Sequence, residues 1–142
     1  MALAAAQVID ALAGRLVPLA ATGGRVYASR LWPLAESDLP AWRITAADEV
    51  TEPSSLDGVH LHRLDVDAAA YVKATADVDD AMHALAAGGL ALLFAAPVPY
   101  GLSLLGIGRE ITTEGEASTG RITLRLQAQF YANPAQPETI LS

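Results

Sequence analysis

Two histidines, His60 and His62, stand two positions apart, a spacing that puts both on one face of an extended strand. With a carboxylate from Asp65 or Asp67 they would sketch a divalent-metal site, the starting point of a metal-dependent hydrolase. Parity argues against it. Both aspartates fall on the other face of the strand unless a bulge intervenes, and no third inward ligand is evident. The histidines are therefore read as polar strand-surface residues, with a small hydrolase using His60 and His62 kept as the alternative. His83 lies on a predicted helix with no obvious partner.

Other chemistries lack their signatures. Gly101-Leu102-Ser103 offers Gly-x-Ser but no glycine two residues later, as a nucleophile elbow requires. Gly101, Gly106 and Gly108 are not followed by Gly-Lys-Ser/Thr and a helix, so they form no phosphate loop. They suit a bent or bulged strand instead. Carboxylates are paired at Asp48-Glu49, Asp79-Asp80 and Glu114/Glu116, each among polar neighbours, whereas general acid–base work needs a desolvated carboxyl. The expectation is a protein that is not an enzyme and uses no metal or cofactor.

What remains is surface. Trp32 directly precedes Pro33 in a segment with two prolines, and Trp42 follows Pro40 closely. Aromatics at such edges anchor interfaces, so Trp32 and Trp42 are candidate contact residues, while Phe130 is read as core. The row Arg121, Thr123, Arg125, Gln127, Gln129 alternates with apolar residues. It is either a solvated face or a subunit contact, which makes Arg121, Arg125 and Gln127 candidates as well. The acidic residues Asp48, Glu49, Glu52 and Asp57, with Glu114 and Glu116, fall in two predicted loops.

These residues must be carried by a small set of elements. Residues 3–21 read as a helix, with Leu3, Val8, Ile9, Leu12 and Leu16 at helical spacing on an alanine background, stopped by Thr22-Gly23-Gly24. Short strands follow at 25–27 and 41–45, joined by a proline-braced connection. Residues 46–58 read as a long acidic loop. Residues 59–71 read as a strand with an imperfect pattern: either a bulge shifts its phase near Arg63, or its first half is buried on the opposite face. Asp77 to Phe94 reads as a second helix with aspartates in its first turn, and Gly88-Gly89 is expected to bend or end it. Residues 102–112 and 120–131 form a long hairpin around a loop at 113–119. The fold class is α+β, a mostly antiparallel sheet of about four to five strands with two helices packed on one face. One domain spans 1–131, and 132–142 is an extended tail.

The chain has 142 residues, 52% of them hydrophobic, with 9 Lys+Arg against 16 Asp+Glu and a net charge of −7. That length fits one domain. The acidic balance repels phosphate backbones and anionic membranes. The absence of cysteine excludes disulfides and thiolate metal sites. No targeting segment is expected at Met1–Ala13, where no cation precedes the apolar run and Asp10 interrupts it. Leu90–Val98 is too short to span a bilayer.

The stretch "SRLWPLAESDLPAWRI", the strand "LHRLDVDAAAY", the helix "ADVDDAMHALAA" and the terminal "ITLRLQAQFYAN" occur in an order that resembles the tail terminator (tail-completion) proteins of long-tailed bacteriophages with non-contractile tails. The likeness covers nearly the whole chain. It implies a small sheet flanked by helices and a homo-hexameric ring on the end of the tail tube. Such a ring stops tube polymerisation and presents the surface to which the filled head joins. It implies no cofactor, and as partners further copies of the chain, the major tail tube protein and head–tail connector proteins. Another head–tail joining protein of similar build is the alternative within this class. Double-stranded DNA would pass through without specific binding, past acidic segments facing lumen or tube. The protein would be assembled in the host cytoplasm and reside in the virion, at the head-proximal end of the tail.

Overall fold

The computed structural model describes residues 3–19, 22–28, 40–54, 58–73, 78–95, 100–114 and 117–141. Trp32, Asp57 and Glu116, named above as candidates, lie outside the described residues.

Eight elements follow in order: α1 (Ala4–Leu16), β1 (Val26–Ala28), β2 (Ala41–Pro53), β3 (His60–Lys73), α2 (Val78–Leu93), β4 (Gly101–Glu114), β5 (Ala117–Asn133) and β6 (Gln136–Leu141). The strands form one six-stranded sheet in the order β1-β2-β3-β5-β4, with β6 pairing β5. Only β1–β2 is parallel; the other pairs are antiparallel. The architecture is thus the expected α+β, with more strands than the four to five anticipated.

Both helices cover one face of the sheet. Val8, Ile9, Leu12 and Leu16 of α1, and Met82, Leu85 and Leu93 of α2, pack with Trp42, Ile44, Val66, Ala68, Leu124, Leu126 and Phe130 in a single core. The alternation in β5 is as expected: Ile122, Leu124, Leu126, Ala128 and Phe130 are buried, and the residues between them face the bare side. Helix α1 is shorter than the 3–21 expected. Pro18 has no amide hydrogen to extend the helix, so the helix ends at Leu16, and the positive-φ Gly23 and Gly24 shape the turn beyond it. Arg15, in the last turn of α1, donates from Nη1 to the Leu93 carbonyl at 2.9 Å. It thereby satisfies an orphan acceptor at the end of α2 and ties the two helix ends together.

Gly88 and Gly89 do not end α2, which continues to Leu93. They let it approach the layer beneath. A Cβ on Gly89 would lie 2.6 Å from the Trp42 ring, and one on Gly88 would lie 2.7 Å from Leu19. Gly120 plays the same part from the sheet side, where a Cβ would meet Val78 at 2.6 Å.

Two expected loops are strand. Residues 46–53, predicted as part of an acidic loop, extend β2 and pair with His60–Val66 of β3 across a bulge between Ala46 and Glu49. The segment is exposed along its whole length, so it forms an arm beyond the helix-covered core. Its hydrogen bonds come from β3, which its polar sequence gave no sign of. The loop expected at 113–119 shrinks because β4 runs to Glu114 and β5 begins at Ala117. The phase change expected in the strand near Arg63 belongs to its neighbour: β3 pairs β5 without a break from His60 to Lys73, and the bulge sits in β2. The C-terminal residues 132–141 are extended as expected but paired. β5 continues to Asn133, β6 folds back on it, and Ile140 packs on the core.

Candidate functional site

The two sides of the sheet carry different chemistry. On the helix side, past the N-terminus of α1, His60 and His62 lie on the same face as Leu64 and Val66, and Asp65 and Asp67 lie on the other. The separation inferred from parity holds. The partner of His62 comes instead from β2: its Nδ1 lies 3.0 Å from Glu49 Oε1. The imidazole also stacks on Phe130, with centroids 5.0 Å apart and 9° between planes. Its side chain is 19% exposed and that of Glu49 33%. The pair borders a cavity of about 320 Å³ lined also by His60, Thr51, Phe130 and Leu3. A carboxylate that accepts from Nδ1–H fixes the imidazole tautomer and leaves Nε2 as the basic atom. Among the described residues, Nε2 of His62 is buried without a hydrogen-bond partner, as is Nδ1 of His60. Among the described residues no three metal-ligating side chains are grouped to hold an ion. His83, for which the sequence offered no partner, accepts from Arg109 Nε at 3.1 Å on the same side of the sheet.

The bare side is polar and built across four strands. The register sets Arg43 of β2 beside Ala69 of β3 and Thr123 of β5. It sets Thr45 beside Asp67 and Arg125, and Tyr71 beside Arg121 and Glu110. Arg43 stands over the Tyr71 ring, 5.5 Å from its centroid. Arg121 is ion-paired with Glu110. Farther along, Gln127 donates to Asp65 at 3.2 Å and Gln129 donates to Gln127 at 3.1 Å. Arg43, Arg121, Arg125, Thr45, Asp67 and Tyr71 border a depression of about 340 Å³. At the β4 border, a Cβ on Gly108 would lie 3.2 Å from the Arg125 guanidinium. Arg125 itself is exposed and makes no ion pair among the described residues.

The candidates divide accordingly. Arg121, Arg125 and Gln127 share the bare face in one row. Trp42 does not reach a surface: it is fully buried, 0% exposed, under α2, so it cannot anchor a partner. Its neighbours along the chain suggested an edge, but the ring fills the space above Gly89. Asp48, Glu49 and Glu52 lie on the β2 arm rather than in a loop, with Glu49 paired to His62 and Glu52 paired to Arg63 at 2.9 Å. Glu114 ends β4. Arg43 and Tyr71 went unrecognised because only the register brings them beside Arg121. The one signal available was the parity that Tyr71 shares with Asp67 and Ala69 along its own strand.

No family model matches the chain, and no curated protein is similar to it. Among solved structures it is similar to a chain of "Virion of native gene transfer agent (GTA) particle", with 19% identity and a TM-score of 0.46 over 91% of this chain and 92% of that one. A likeness of that size carries no weight for fold or function.

Proposed function

We propose that the chain is a structural tail terminator of a long-tailed phage or phage-like particle. In this reading it forms a ring on the end of the tail tube, stops tube polymerisation and offers the surface to which the head joins. The observation that supports it best is the asymmetry of the sheet. One face is sealed by helices and the other is bare. One border is the long strand β4, and the opposite border is the short β1 followed by the exposed arm of β2. A closed ring needs two unlike patches on each subunit, because its contacts are heterologous. A subunit with unlike borders and one open face meets that need. The element order resembles the tail terminators over nearly the whole chain, and a net charge of −7 suits a collar through which DNA must slide without adhering. No cofactor takes part. The partners are further copies of the chain, the tube protein and a connector on the head.

Electron microscopy of particles assembled without the protein tests this directly. Tails of uncontrolled length, unjoined to heads, are expected. Tails of normal length carrying filled heads would sink the reading. Correct tail length with heads still detached would favour a different head–tail joining protein.

A further inference from the structure

The bare sheet face concentrates positive charge on a molecule that is otherwise strongly acidic. Three of the nine cationic side chains, Arg43, Arg121 and Arg125, border one depression with Asp67, and of these Arg121 is already ion-paired with the neighbouring Glu110. Such a depression on a chain of net charge −7 is fitted to an anionic partner surface. The same chain carries one. The β2 arm presents Asp48, Glu49 and Glu52 and no cation, and it projects past the helices with every residue from Ala46 to Pro53 exposed. At its root the bulge drops Ala47 and Asp48 out of the ladder. Asp48 therefore stands out with no ion pair among the described residues. Among the described residues Glu52 is ion-paired only with Arg63, and both side chains are partly exposed, so solvent weakens the contact. The arm leaves the rim of the depression at Thr45, yet among the described residues no ion pair joins its Asp48 to Arg125 within one chain, which leaves both for a head-to-tail match between copies.

We infer that the arginine-lined face of one subunit receives the acidic β2 arm of the next copy of the same chain, with Asp48 seated against Arg125. This rests on the ring reading and names its contact. A head-to-tail match of this kind repeats from subunit to subunit and closes when the rotation allows. It also removes the arm from the lumen, where its acidic residues would otherwise have been placed.

The test is a charge swap read by sedimentation velocity and light scattering on the full chain. Arg125→Glu is expected to raise the concentration at half-assembly at least about tenfold, because it sets like charges face to face. Adding Asp48→Arg to that variant is expected to bring assembly back to within about threefold of the parent, since the attraction is rebuilt with reversed sign. Both side chains are exposed, so thermal midpoints of all variants stay together and loss of assembly is not loss of fold. If Arg125→Glu assembles like the parent, or the double variant is not rescued, the contact is wrong while the ring reading stands. A parent that stays monomeric alone and also fails to bind tail tube ends removes both. Normal self-assembly by Arg125→Glu, with loss of binding to tube protein or to duplex DNA, overturns the contact by giving the face another occupant.

Discussion

At the scale of single residues, the sharpest constraint is the contact between Trp42 and Gly89. Alanine at an exposed helical glycine gains roughly 0.5–1 kcal/mol in backbone entropy. Gly14→Ala in α1 is expected to show that gain, because nothing lies within 4 Å of its new Cβ. Gly89→Ala should reverse the sign. Its Cβ would sit 2.6 Å from a ring that is fully buried and cannot yield, and overpacking of this kind costs about 1–3 kcal/mol. Urea unfolding of the two variants side by side checks the pair. Tyr100 supplies a pH prediction. Burial pushes its hydroxyl pKa above the ordinary value, against the smaller opposing pull of the Arg15 charge. A group that ionises less readily when folded contributes stability that is complete below the unfolded value, about 10, and is lost as pH rises through the folded value. Stability measured from pH 8 to 11.5 is therefore expected to fall above about pH 10, and less steeply in Tyr100→Phe. At neutral pH that variant should match or exceed the parent, since the buried hydroxyl it removes has no hydrogen-bond partner among the described residues.

At the scale of elements, two bulges decide what the strands present. In β2, Trp42 and Ile44 face the helices. One extra residue between Ala46 and Glu49 changes the parity, so Glu49 and Thr51 face the helix side beyond it. Without that residue Glu49 would lie on the bare face, away from His62. In β4 the irregularity between Leu104 and Gly106 does the same, leaving Leu105 out of the ladder and 56% exposed. The arm and the centre of the sheet should also differ in protection. β5 is paired on both sides, whereas the arm of β2 is paired on one side and covered on neither face. Hydrogen exchange by mass spectrometry is expected to show amides of 49–52 exchanging well before those of 122–130, and equal rates would contradict the arm. The β4 border, with Leu105 and Ile111 exposed, is the kind of edge that charged residues usually guard. Leu105→Lys is expected to lower nonspecific aggregation in light scattering without moving the thermal midpoint by more than a degree or two, since an exposed side chain adds little to stability.

At the scale of the whole molecule, charge and topology set what the protein can join. With a net charge of −7 the chain is expected to show no measurable binding to duplex DNA at about 0.15 M salt. Fluorescence anisotropy with a labelled duplex checks this, and tight binding there would contradict a collar that DNA slides through. The amino-acid sequence by itself determined the α+β class, the two helices, the alternating core of β5 and the separation of the histidines from Asp65 and Asp67. Those features are local: a period of two or of 3.6 in apolar residues fixes which face is buried once the element forms. Only the tertiary structure decided that an acidic, loop-like stretch would be strand, that Trp42 would be core, and that Arg43, Tyr71, Arg121 and Arg125 would share one depression. Each of these depends on which strand lies beside which, and on a single inserted residue that reverses the facing of all that follow. Pairing energy comes from partners far away in the chain, and local composition does not record them.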